Sequence, residues 1–195
     1  MVNVLTLGND QMKTIVVVLP LAALVIDQMA HAIGLAAIDL RRADDSVVRQ
    51  QANDQVVVLD RSLCAVPVAL VEHFPDTTEL VRIRRLRSDS GVTLSYAENF
   101  LRPELAARFG DDQLRRVPMT QILRDELGLR LTRIENAIEA RNATPLLAEL
   151  LEVDLLSPIL LSTNLTRDDT GAVVDAALIH YRGDRFRFTV DIDVR

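Results

Sequence analysis

The feature that most constrains this chain is the run from Pro158 to Phe188. Two apolar stretches, Pro158 to Thr166 and Ala172 to Tyr181, flank the polar segment Asp168-Asp169-Thr170-Gly171. Asp and Gly tolerate the positive φ that a tight turn demands, so the three pieces read as a β-hairpin. Just downstream, Phe186 and Phe188 alternate with Arg185 and Arg187. That period of two predicts a further half-buried strand from Asp184 to Val194, closing the sheet. A hairpin followed by another strand implies an antiparallel sheet, with one face to be covered by the rest of the chain.

The preceding residues supply more strands and the cover. Gln55 to Leu59 reads as a short strand, and Leu80 to Arg87 alternates apolar and basic residues as a strand should. Ser88-Asp89-Ser90-Gly91 is a turn signal, and Val92 to Leu101 continues as the next strand. Ala65 to Phe74 reads as a short helix ended by Pro75, and Glu104 to Phe109 as a helix opened by Pro103. Thr120 to Leu127 reads as a helix with Thr120 as its N-cap, Leu123 and Leu127 facing inward and Gly128 closing it. Leu129 to Ala140 is strand-like, and Thr144 with Pro145 opens a helix to Leu151. Strands and helices mix without regular βαβ alternation. The fold class is therefore α+β: a mostly antiparallel sheet with flanking helices.

The N-terminal quarter differs. Thr14 to Leu19 is β-branched and strand-like up to Pro20. From Leu21 to Gln51 the periodicity is helical, through Met29, Ile33, Leu40, Val47 and Val48, with a break at Gly34. That pattern has the spacing of a helix-turn-helix, and an unrelated helical pair packed on the sheet fits it as well. The expected division is a small helical segment over residues 1–51 and the main domain over 52–195. Lys13, the apolar run Ile15 to Ile26 and Ala30-His31-Ala32 resemble parts of a signal peptide. The run is too short for a membrane span and Asp10 offsets Lys13, so a cytoplasmic protein without membrane association is expected.

Composition excludes several functions. Net charge is −6 and Trp is absent. The chain as a whole is thus no phosphate-backbone binder, and any contact with DNA has to be local. The single Cys64 cannot form an internal disulfide, and it sits in an apolar run as a small hydrophobe. His31, His73 and His180 lack ligand spacing, so no metal is expected. Neither a phosphate loop nor a Ser-His-Asp arrangement stands out, and no cofactor is implied.

Candidate binding residues lie on the strands. Arg85 and Arg87, two apart, share one strand face. Two guanidiniums there offer a bidentate clamp for phosphate or carboxylate, and a solvated charged face is the plainer alternative. Glu98 on the next strand fits either a ligand contact or a cross-strand salt bridge to one of the arginines. Tyr181 fits a pocket-closing ring or a core aromatic with a wet tip.

Several pieces, in order, resemble one known family. They are Arg84-Arg85-Leu86-Arg87; Glu98-Asn99-Phe100-Leu101-Arg102-Pro103; Ile122-Leu123 through Leu131; Ala143 through Val153; and Gly171 with Asp175 and Tyr181-Arg182-Gly183-Asp184-Arg185-Phe186-Arg187-Phe188. Together they resemble the UTRA domain, the small-molecule sensor of HutC-type regulators in the GntR family. The resemblance implies a chorismate-lyase-like α+β fold, a homodimer and no enzymatic activity. It implies a small effector, such as a sugar phosphate or carboxylate, held by Arg85, Arg87, Glu98, Thr120, Asp175 and Tyr181. Asp175 stands where relatives carry Glu, and Thr120 is the hydroxyl available where phosphate-binding relatives carry Ser and Tyr. Two other functions stay open: a stand-alone sensor and, less favoured, a chorismate-lyase-like enzyme.

Residues 1–51 then resemble a degenerate DNA-binding domain. Leu40-Arg41-Arg42-Ala43 through Arg49 is similar to the family's recognition-helix tail, which makes Arg41, Arg42 and Arg49 the expected DNA contacts. The family's Ser-Arg-x-Thr is here Ala36-Ala37-Ile38-Asp39, which removes contacting side chains and adds a carboxylate. Residues 1–50 carry four basic side chains against five acidic ones, so DNA binding is expected to be weakened.

Overall fold

The computed structural model describes residues 13–16 and 55–192. The helix-turn-helix reading of the N-terminal quarter, with Arg41, Arg42 and Arg49, lies outside the described residues, as does the signal-peptide reading. The strand expected from Thr14 is present as β1, Lys13–Val16.

The main body is a six-stranded sheet. In chain order its strands are β2 (Gln55–Ala65), β3 (Glu79–Asp89), β4 (Val92–Leu101), β5 (Leu131–Asn142), β6 (Pro158–Asp168) and β7 (Val173–Arg182). Across the sheet the order is β2-β3-β4-β7-β6-β5, and every neighbouring pair is antiparallel. The expected hairpin is β6–β7. Its turn is held by Asp168, whose Oδ1 accepts from the Thr170 amide at 3.0 Å while its carbonyl accepts from the Gly171 amide at 3.1 Å. β3 and β4 are joined by Ser90-Gly91, both at positive φ (51° and 79°), the two-residue turn whose twist suits antiparallel strands.

Four helical pieces follow the sequence signals unevenly. α1 (Pro103–Ala106) is shorter than expected. α2 (Asp111–Arg116) is an addition to the expected set, although its signals were present. Acids fill its first turn, arginines its last, and the Gln113 side chain accepts from the Gly110 amide at 2.7 Å. α3 (Met119–Gln121) starts after Pro118, so Thr120 is not its N-cap; it widens into a turn over Ile122–Glu126. α4 (Pro145–Leu151) has the expected cap, Thr144 Oγ1 accepting from the Leu147 amide at 3.3 Å. The helix expected over Ala65 to Phe74 is a 3-10 turn at Val68–His73, because β2 runs on to Ala65. β5 lies two residues later than its sequence reading.

Both faces of the sheet are covered. On one, Ile83 and Leu101 pack against Leu114, Met119, Ile122 and Leu123 of the α1–α3 layer. On the other, Leu70 and Phe74 cover Leu80 and Phe100 at one end, while Leu147 and Leu151 of α4 cover Tyr96 and Ile159 at the other. Arg61 ties edge strand β2 to the helical layer, donating from Nη1 to the Ala106 carbonyl at 2.7 Å and to the Phe109 carbonyl at 2.9 Å. Among the described residues, no helix is long and apolar enough to cross a membrane.

The stretch after β7 departs from the expected strand. Arg182 to Phe186 is a turn, with the Arg185 and Phe186 amides both donating to the Arg182 carbonyl. Phe186 stacks on Tyr181 with centroids 3.9 Å apart. Strand resumes as β8 (Thr189–Ile192), which pairs antiparallel with β1 in a separate two-stranded sheet. The stacking draws Phe186 back over Tyr181, so the Phe/Arg alternation marks a docked turn there. Gly183 makes the turn passable: an added Cβ would stand 2.6 Å from the Pro158 carbonyl oxygen. Gly183→Ala is expected to cost about 2 kcal/mol through this backbone clash, read as a lowered urea midpoint. An unchanged midpoint would show that the turn is not held against β6.

Candidate functional site

Register alone assembles one face of the sheet into a polar floor. Arg87 is opposite Ser95, Ser95 opposite Tyr181, and Tyr181 opposite Leu160. The next row is Arg85, Ala97, Ile179 and Ser162, and the next Ile83, Asn99, Ala177 and Asn164. Asp175 lies two residues from Ala177 and opposite Thr166. Directly opposed residues in an antiparallel sheet point to the same face, so Arg85, Arg87, Asp175 and Tyr181 are brought together. The small Ala97 and Ala177 lie between the arginines and the far polar side chains.

The burial is unusual for a sheet face. Among the described residues six polar or charged side chains are buried, and five of them (Ser95, Asn99, Ser162, Thr166 and Asp175) stand on this floor. Polar groups are expensive to bury unless they are paired, and the central ones are. Arg85 Nη2 donates to Asn99 Oδ1 at 2.6 Å, and Asn99 Nδ2 donates to both carboxylate oxygens of Asp175 at 2.9 and 3.0 Å. The Arg87 guanidinium lies 5.8 Å from the centroid of the Tyr181 ring, a cation–π distance.

These surroundings shift the titrating groups. Burial pushes the Asp175 carboxyl up to about 6, against the opposing pull of Asn99 and Arg85. Burial also draws the Arg85 guanidinium below its ordinary value, which Asp175 partly offsets and Arg87 reinforces. The Tyr181 hydroxyl is raised by burial, with both arginines opposing. The result is a half-buried arginine pair backed by a buried carboxylate, an arrangement able to receive an anion in bidentate fashion.

Glu98 and Thr120 are not brought into this group. Glu98 pairs with Arg84 and with Leu178, which puts it on the opposite face, 3.8 Å from Arg82. There it joins Asp60, which accepts from Arg84 Nε at 2.9 Å, and Tyr96, whose hydroxyl burial pushes up to about 12 with Glu98 adding to the rise. The cause is a β-bulge: Ser88 faces Thr93 but Arg87 faces Ser95, so Leu94 is left without a partner. Counting onward from the turn without the bulge would put Glu98 opposite Ile83, on the arginines' face. The extra residue gives that place to Asn99. Thr120 is half-buried in α3 and makes no side-chain hydrogen bond to the floor.

Asn99, Ser95 and Ser162 were absent from the sequence-derived site. A polar residue between the apolar Ala97 and Leu101, two positions to either side on the same strand face, was the available signal for Asn99. Among the described residues, no group of His, Cys, Asp and Glu could hold a metal ion.

Comparison with known structures shows the same fold. The Bacillus subtilis protein YydK, assigned as a transcriptional regulator, matches with a TM-score of 0.66 at 17% identity over 73% of this chain. The match covers 63% of YydK, so this chain spans less than two thirds of that protein. A transcriptional regulator of the GntR family from Enterococcus faecalis matches with a TM-score of 0.62 at 17% identity, over 68% of this chain and 96% of that one. A Streptomyces coelicolor protein, also assigned as a transcriptional regulator, matches with a TM-score of 0.65 at 28% identity, over 71% of this chain and 93% of that one. These neighbours are described as regulators, not as enzymes. The UTRA domain model matches residues 49–187, well over half of the sequence. With the six-stranded antiparallel sheet and its flanking helices, this match shows that the chain belongs to the UTRA domain family.

Proposed function

We propose that this chain is an effector-responsive transcription regulator of the GntR type, in its HutC branch. A small anionic or polar metabolite, such as a sugar phosphate or carboxylate, is held on the floor by Arg85 and Arg87, with Tyr181 and Asp175 beside them and Thr120 at the helical layer. Its occupancy controls DNA binding through residues 1–51, with Arg41, Arg42 and Arg49 as the contacts. The protein works as a cytoplasmic homodimer. The observation that carries the reading is the guanidinium pair on a buried polar sheet face in a UTRA domain.

Fluorescence anisotropy with the chain's own upstream DNA, at low and moderate salt, tests the regulator. Selective binding that survives moderate salt and responds to an effector is the expected result. Screening sugar phosphates and carboxylates by thermal shift tests the site. Arg85→Met is expected to lose at least about tenfold in affinity for any hit, the cost of one charge-assisted hydrogen bond. A hit that binds Arg85→Met as well as the natural chain would remove the clamp.

A second reading is favoured by a specific observation. Ala36-Ala37-Ile38-Asp39 and the excess of acids over bases in residues 1–50 suit a stand-alone sensor that has lost DNA binding. Absence of binding, or weak binding abolished by moderate salt, would select it.

A further inference from the structure

The layer beneath the arginines has a role of its own. Asp175 is 3% exposed and Asn99 1%, so as folded neither offers surface to a ligand. Both are nevertheless polar: Asn99 accepts from Arg85 directly, and Asp175 is joined to Arg85 through Asn99. We infer that Asn99 and Asp175 are positioning residues that aim Arg85 at an incoming anion, and that capture of the anion is accompanied by proton uptake at Asp175. This rests on the reading of Arg85 and Arg87 as the effector's clamp.

The Asn99 carboxamide has one orientation here. Its oxygen accepts from Arg85 and its nitrogen donates to Asp175. Turning it over would set donors against the guanidinium and an acceptor against the carboxylate. The amide therefore links the two charges and holds one edge of the guanidinium toward β4. The Arg85 Nε has no hydrogen-bond partner within the described residues. A buried guanidinium nitrogen without an acceptor is costly, and an anion oxygen is the chemistry that satisfies it.

The proton follows from the charges. Facing Asp175 are Asn99 from β4, Arg85 from β3 and the hydroxyl-bearing Thr166 from β6, with Arg87 and Tyr181 acting on Arg85. The helical layer contributes apolar side chains, Ile122 and Leu123 among them, to the cluster that holds neighbouring Val174. Arg85 is thus the cation that stabilises ionised Asp175. An anion bound to Arg85 adds negative charge close to a carboxylate that is already buried, and this favours the protonated acid. By linkage, anion affinity then rises as pH falls through the range in which Asp175 titrates, near 6.

Sulfate is the probe, because its charge is constant between about pH 5 and 8, where the arginines also stay charged. The full chain is titrated calorimetrically at pH 5.5 and 7.5. The natural chain is expected to bind sulfate on the order of tenfold more tightly at the lower pH, and Asp175→Asn equally at both. Asn99→Ala is expected to weaken binding about tenfold. Asn99→Ser, whose hydroxyl can both accept from Arg85 and donate to Asp175, recovers part of that loss. If Asn99→Ala does not fold, the slope with pH in Asp175→Asn decides alone. No sulfate binding by the natural chain, or binding undiminished in Arg85→Met, would overturn the clamp and this inference with it. Loss of binding in Arg85→Met, with the pH slope kept in Asp175→Asn and affinity kept in Asn99→Ala, would overturn this inference only.

Discussion

Phe74→Ala is expected to destabilise the protein by about 3–5 kcal/mol. Phe74 is 1% exposed at the end of the 3-10 turn and packs with Leu70 on Leu80 and Phe100. Its ring also carries the Arg102 guanidinium at 5.9 Å. Truncation removes a full aromatic side chain from water-free packing and leaves a cavity that strands β3 and β4 cannot collapse to fill, because their backbones are held by the ladder. A domain is stable by only about 5–15 kcal/mol, so this one change removes a large share. Val68, six residues earlier, is 93% exposed, and Val68→Ala is expected to stay within about 0.5 kcal/mol. Urea unfolding followed by circular dichroism measures both. A loss below about 1 kcal/mol for Phe74→Ala would mean that the turn is not docked on the sheet.

Asp175→Asn is expected to stabilise the protein at neutral pH by about 2 kcal/mol. Burial raises the carboxyl from its ordinary 3.8 to about 6, a difference equivalent to roughly 3 kcal/mol. That difference already includes the attraction of Arg85; loss of one of the two carboxylate acceptors of Asn99 Nδ2 takes back part of it. The folded state binds the proton more tightly than the unfolded one, so the natural chain loses stability as pH rises from about 4 to about 6 and the penalty is constant above that. The advantage of Asp175→Asn should grow through that window and then level off. Urea midpoints of the two proteins between pH 4.5 and 8 report it. Lower stability of Asp175→Asn at pH 7 would show that the attraction to Arg85 outweighs the cost of burial. A residue that destabilises its own fold at working pH is held there for another purpose, in keeping with a role in ligand capture.

Much of the architecture is legible in the residues. The β6–β7 hairpin follows from Asp168 and Gly171 between two apolar runs, and α4 from Thr144-Pro145, because turn and cap signals act within a few residues. Local signals were also present for α2, in Gly110, the paired acids and the paired arginines, yet its few residues carry too little apolar periodicity to stand out. The Phe186 and Phe188 alternation looked like a strand, but a period of two cannot tell a ladder from a turn whose aromatic stacks on Tyr181.

The candidate site divides the same way. That Arg85 and Arg87 share a face is a property of one strand, determined by the pleat and readable from spacing. Which residues of β4 join them depends on register. Register here turns on Leu94, the residue left unpaired between Ser88–Thr93 and Arg87–Ser95. One extra residue sends every later side chain of the strand to the other face, so Asn99 meets Arg85 and Asp175 while Glu98 goes to Arg82. The sequence by itself determined the β6–β7 hairpin, the Thr144 cap of α4 and the arginine pair, because those are interactions between near neighbours. Only the tertiary structure decided the buried carboxamide and the partner of the acid. Those contacts join β3, β4 and β7, and a single bulge in their pairing chooses between two adjacent residues.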